Sequence, residues 1–81
     1  MTGHTAKTLA DLKPGQDGVV KAVTGDLSLK RRLSALGLVN GTRVSLGHAA
    51  PLGDPRVYEI FDYMLSLRHT EASQVLLRQP E

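Results

Sequence analysis

The chain contains no cysteine and no tryptophan. Disulfides and thiolate metal sites are therefore excluded, and the composition fits a reducing compartment. Only three aromatic residues occur, Tyr58, Phe61 and Tyr63. They are too few for a base-stacking platform. No run approaches the ~20 apolar residues of a membrane span. The opening stretch, MTGHTAKTLADLK, lacks the apolar core of a secretory signal. A cytoplasmic location without direct membrane insertion is therefore expected.

Charge of one sign is also scarce. The net charge is +2, with seven Lys/Arg and three Asp in residues 1–44 (+4) and three Arg and five Asp/Glu in residues 45–81 (−2). A general nucleic-acid binder would carry a larger basic excess, so no nucleic acid is expected as a partner. Catalytic signatures are missing: no G-x-S-x-G, H-E-x-x-H, P-loop or G-x-G-x-x-G occurs. The carboxylates are scattered, with no hint of an acid–base pair. A domain of 81 residues buries only about 60–65% of its unfolded surface, which leaves little room for a deep cavity. The chain does not read as an enzyme.

The informative stretch is Ser28 to Val44, SLKRRLSALGLVNGTRV. The spacing predicts a helix over 28–36. Leu29, Leu33 and Leu36 recur at i, i+4 and i+7 and form one stripe, expected to face the core. Ser28 or Asp26 can cap its start. Gly37 can adopt the left-handed conformation beyond its end, with Leu38 packing back on Leu33. Asn40-Gly41 is a turn signal, and Thr42 and Val44 open a β-branched segment. Lys30, Arg31 and Arg32 sit near the helix start and oppose the macrodipole, at a cost of roughly a few tenths of a kcal/mol each. Local rules broken in this way point to function.

Read in order, residues 1–7 are expected to form a flexible tail. Thr8 caps a helical turn over 9–12, and Lys13-Pro14-Gly15-Gln16 fits a type II turn. Strands are expected at 18–23, 42–49, 56–61, 64–68 and 75–78. Gly47 marks a bulge or a close backbone approach. Pro51 and Pro55 stiffen the loop over 50–55, which lowers the ordering cost of binding, and Leu52 offers an apolar contact there. Asp62-Tyr63 reads as the hairpin turn, with Asp62 left-handed. Thr70 caps a turn over 71–73. Five short strands, one helix and two helical turns suit a small, mainly β barrel that hides its edges.

Metal ligands are sparse. His48, His69 and Glu71 are surface candidates, and His69 and Glu71 could share an ion if that segment were extended. Such a site could trap Zn2+ adventitiously or hold Fe2+ weakly. The spacing matches no recognised multi-ligand pattern, and no cofactor is required.

Four motifs occur in order: L-x-P-G at 12–15, G-D-x-x-L-K-R-R-L-x-x-L-G-L-V-x-G-T-x-V at 25–44, A-P-L-G-D-P at 50–55 and L-S-L-R at 65–68. Together they resemble the FeoA family, small cytoplasmic components of bacterial ferrous iron uptake, over residues 8–78. The resemblance implies an SH3-like barrel with a helix inserted after the first strand. It also implies an accessory protein that binds FeoB, the membrane protein with a cytoplasmic GTPase domain and the Fe2+ path, and modulates transport. The family motif falls on Leu29, Arg31, Arg32, Leu33, Leu36, Gly37, Leu38 and Gly41, and on Pro51, Leu52, Gly53, Asp54 and Pro55. Arg31, Arg32, Pro51, Leu52 and Asp54 are the expected partner contacts, and the others are expected to set the fold. Asn40 replaces the usual Pro, and Asp62 the usual Gly of the hairpin. A homodimer is conceivable through an edge strand beside Gly47. The alternative to a transporter subunit is an iron-sensing or iron-shuttling protein using surface His and carboxylates. A third reading, a nucleic-acid-associated barrel, is disfavoured by the charge balance.

Overall fold

A computed structural model describes residues 6–49 and 54–79. Leu9–Asp11 forms a single 3-10 turn. The elements that follow are β1 (Asp17–Val23), α1 (Leu27–Ala35), β2 (Arg43–Ala49), β3 (Arg56–Ile60), β4 (Tyr63–Leu67), α2 (His69–Ala72) and β5 (Val75–Leu77). The five strands form an antiparallel sheet in the order β4-β3-β2-β1-β5. β1 pairs with β2 through Asp17 to Val19 and with β5 through Val20 to Val23. One strand thus serves two neighbours and wraps the sheet around its core.

The alternation expected of β2 holds, with Val44 and Leu46 buried and Arg43 outside. They pack with Leu9, Val20, Leu33, Leu38, Tyr58 and Ile60 in one apolar cluster. Tyr58 is fully buried and donates its hydroxyl to the Leu9 carbonyl at 2.8 Å. This bond satisfies a polar group that would otherwise be orphaned in the core. Burial pushes the Tyr58 pKa up, against a smaller opposing effect of Arg56. The phenol therefore stays protonated and keeps donating across the physiological range.

Local signals near α1 hold closely. Asp26 is the cap, and its carboxylate accepts from the Leu29 N–H at 2.8 Å. An acid at this position offsets part of the cost of the cations that follow. At the other end Gly37 has φ 103°. The Gly37 N–H donates to the Ser34 carbonyl at 3.0 Å and the Leu38 N–H to the Leu33 carbonyl at 3.0 Å, a Schellman stop. Gly15 and Gly41 also take positive φ, and the expected turns close at Lys13–Gln16 and Val39–Thr42. Gly47 sits at a register shift between Leu46 and His48, the expected bulge.

Five expectations need correction. First, Leu36 does not complete the buried stripe. The helix ends at Ala35, the chain reverses at Gly37, and Leu38 takes the inward position while Leu36 stays exposed. Second, the hairpin turn is Phe61-Asp62, and the left-handed residue is Phe61, with φ 54°. Local preference favours Asp there. Starting β4 at Tyr63 instead lets its hydroxyl donate to the Leu36 carbonyl, one of the carbonyls a helix end leaves unpaired. Third, α2 starts at His69 rather than Glu71. Glu71 is its third residue, and its carboxylate accepts from the Arg68 N–H at 2.9 Å, so Thr70 lies inside the turn. Fourth, the strand that carries Gly47 is not an edge strand: β2 lies between β1 and β3, and its pairing with β1 runs over Arg43 to Ser45. Fifth, Ala6 is buried, and the Lys7 carbonyl accepts from the Leu77 N–H at 2.8 Å. These two residues belong to the folded domain rather than the tail.

Candidate partner-binding surface

α1 packs on the core with Leu33 buried and Leu29 half-buried. Its opposite face is exposed and carries Leu27, Lys30 and Arg31. Leu27 and Arg31 are four residues apart, so they are neighbours on one face. Leu27 is 60% exposed. An apolar side chain beside two cations suits a surface that meets an apolar and acidic partner patch. Sequence reasoning singled out Arg31 and missed Leu27. The available signal was its position outside the Leu29–Leu33 stripe.

The other expected contacts divide. Arg32 pairs with Glu71 on α2. Both groups are partly exposed, so the pair contributes little to stability. It does hold the guanidinium toward α2. The Asp54 carboxylate accepts from the His69 N–H at 2.9 Å, at the first residue of the same helix. α2 therefore ties the end of the proline-bounded loop to the basic helix, an arrangement no local sequence signal announces. Pro51, Leu52 and Gly53 lie outside the described residues. Pro55 follows Asp54 through a cis peptide bond.

Two of the metal candidates, His69 and Glu71, do not converge. His69 and Glu71 lie on a helical turn rather than an extended segment, so residues two apart point in different directions. Both Glu71 oxygens are also engaged, one by the Arg68 N–H and the other by Arg32. His48 lies on β2, and nothing is described of its side chain. Among the described residues no three His, Cys, Asp or Glu side chains are grouped as metal ligands.

The hairpin tip is a second exposed feature. Phe61 is 81% exposed and Met64 64%. With Glu59, Asp62 and Tyr63 they line an open hollow of about 190 Å³. An aromatic residue at positive φ is strained by roughly 1–2 kcal/mol. Because Phe61 buries little, Phe61→Gly is expected to raise stability by about 1 kcal/mol. A higher midpoint in urea unfolding checks this, and an unchanged or lower midpoint would show that the ring contributes to packing.

The FeoA domain pattern matches residues 7–79, nearly the whole chain. This chain belongs to the FeoA family. It is 34% identical over 67 residues to an Fe(2+) transport protein A/Fe(2+) transporter FeoB fusion protein of Porphyromonas gingivalis, a match covering 83% of this chain and 8% of that protein. The chain thus spans a small fraction of that relative's length. Among solved structures, FeoA of Stenotrophomonas maltophilia in complex with zinc aligns with TM-score 0.79 and 30% identity, over 90% of this chain and 91% of that one. That protein is described as an SH3 domain protein suggested to act as a ferrous iron transport activating factor. FeoA of Chlorobium tepidum aligns with TM-score 0.81 and 33% identity, over 89% and 69% of the two chains. The fold is accordingly the mainly β, SH3-like architecture, and the family links the chain to ferrous iron transport. No helix among the described residues is long and apolar enough to cross a membrane.

Proposed function

We propose that this FeoA protein is a cytoplasmic accessory subunit that docks on a FeoB-type transporter and modulates Fe2+ uptake. It acts by binding rather than by catalysis. The observation that carries this reading is the fusion relative, in which an FeoA segment and a FeoB transporter share one chain. Covalent linkage raises effective concentration, and it serves function where the two parts work on each other. The docking surface is the outer face of α1, with Arg31 as its charged anchor and Leu27 as its apolar one. Arg32 and Asp54 act indirectly, Arg32 by tying α1 to α2 and Asp54 by tying the end of the proline-bounded loop to α2.

Retention of the purified protein on detergent-solubilised FeoB, with and without a GTP analogue and Fe2+, tests the proposal. Arg31→Glu is expected to weaken retention about tenfold or more while leaving the fold intact, because it places an acid where the partner patch is acidic. Wild-type protein that is folded yet never retained would overturn the reading. Undiminished retention of Arg31→Glu would move the docking surface away from α1.

A further inference from the structure

The sheet ends in two different ways. The β5 edge is covered by the N-terminal segment, through the Leu77 N–H bonded to the Lys7 carbonyl and a bridge between Thr8 and Leu76. Among the described residues the β4 edge pairs with β3 alone. Its sequence, YMLSL, holds no charge and no proline, and its ladder with β3 runs without a register shift. Charges, prolines and bulges are the usual devices that keep an edge from pairing with another chain. β4 has none of them along its length, and Met64 and Ser66 are exposed on its outer face.

The residues flanking β4 are charged and opposite in sign: Asp62 before it and Arg68 after it. Both are exposed, and neither forms an ion pair among the described residues. An antiparallel pairing of β4 with its own copy, centred on Leu65, sets Tyr63 opposite Leu67 and Met64 opposite Ser66 of the second copy. The same register sets Asp62 opposite Arg68 at both ends. Shifting the centre by one residue either way loses both ion pairs. In an antiparallel ladder alternate residues turn their N–H and C=O groups outward. The two-residue turn at Phe61-Asp62 makes Ile60 and Tyr63 the closing pair, so Met64 and Ser66 are the residues with outward groups. These meet each other in the same register. We propose that the β4 edge binds a second copy of this chain, forming a two-fold antiparallel dimer centred on Leu65. The interface is small, so the dimer is weak and reversible, and it leaves the outer face of α1 independent of it.

Charge exchange tests the register. Sedimentation of the wild-type protein is expected to show a concentration-dependent monomer–dimer equilibrium. Asp62→Arg alone, or Arg68→Asp alone, places like charges opposite each other at both ends and should weaken dimerisation about tenfold. An equimolar mixture of the two single variants should form heterodimers with the wild-type constant, since each acid again faces a base. Asp62→Arg/Arg68→Asp in one chain should likewise restore the homodimer. Wild-type protein that stays monomeric to about 1 mM would overturn the proposal. Single variants that dimerise as well as the wild type, with no gain on mixing, would overturn it equally. Neither result depends on whether the protein binds a transporter.

Discussion

Leu33→Ala is expected to be severely destabilising, by about 3 kcal/mol within a 2–5 kcal/mol range. Leu33 has no exposed surface and is the one α1 side chain buried within the core cluster. Removing its three outer carbons forfeits burial and leaves a cavity, and two features of this fold limit collapse around it. The backbone there is pinned by the Schellman bond from the Leu38 N–H to the Leu33 carbonyl. The strand that α1 packs against, β1, is held on both sides by β2 and β5. A domain of this length has a total stability of roughly 4–12 kcal/mol, so the loss is a large share of it. Thermal unfolding should show a fall of about 15 °C in midpoint. A fall of only a few degrees would mean that α1 rests on the sheet without being part of its core.

Gly37→Ala is expected to cost about 2 kcal/mol, much more than an ordinary exposed Gly→Ala change. Gly37 combines φ 103° with a crowded site, where an added Cβ would stand 2.8 Å from the Tyr63 hydroxyl oxygen. The backbone term and the clash can be separated. In a Tyr63→Phe background the oxygen is gone, and the Gly37→Ala penalty should drop to about 1 kcal/mol, the left-handed term alone. Equal penalties in the two backgrounds would show that the hairpin does not press on the helix end. A neutral effect of Gly37→Ala would contradict the stop geometry itself.

These residues also mark what the sequence could reveal. The helix stop, the Lys13–Gln16 turn and the Gly47 bulge were legible because each depends on backbone preferences within a few residues. The Asp26 cap was one of two readings, settled once Leu27 rather than Leu29 began the helix. The hairpin was misplaced by one residue because its position depends on a contact with a distant element. Tyr63 reaches the carbonyl of Leu36, and the resulting turn forces Phe61 rather than Asp62 into positive φ. Leu36 looked buried because its helical phase was right, yet the helix ended one residue before it.

The candidate surface was legible in part. The motif named Arg31, Arg32 and Asp54, but their division of labour depends on α2. There Glu71 takes Arg32 and the first N–H takes Asp54. His69 and Glu71 looked like a ligand pair only on the assumption of an extended segment. Leu27 escaped notice because an apolar residue off the core stripe has no partner in the sequence to give it meaning.

The proposed role in ferrous iron uptake rests on the outer face of α1. Fe2+ uptake, measured in cells that lack the protein but retain the transporter, tests it most directly. Wild-type protein should restore uptake, and Arg31→Glu, expressed to the same level and equally folded, should not. Full restoration by Arg31→Glu would contradict the account.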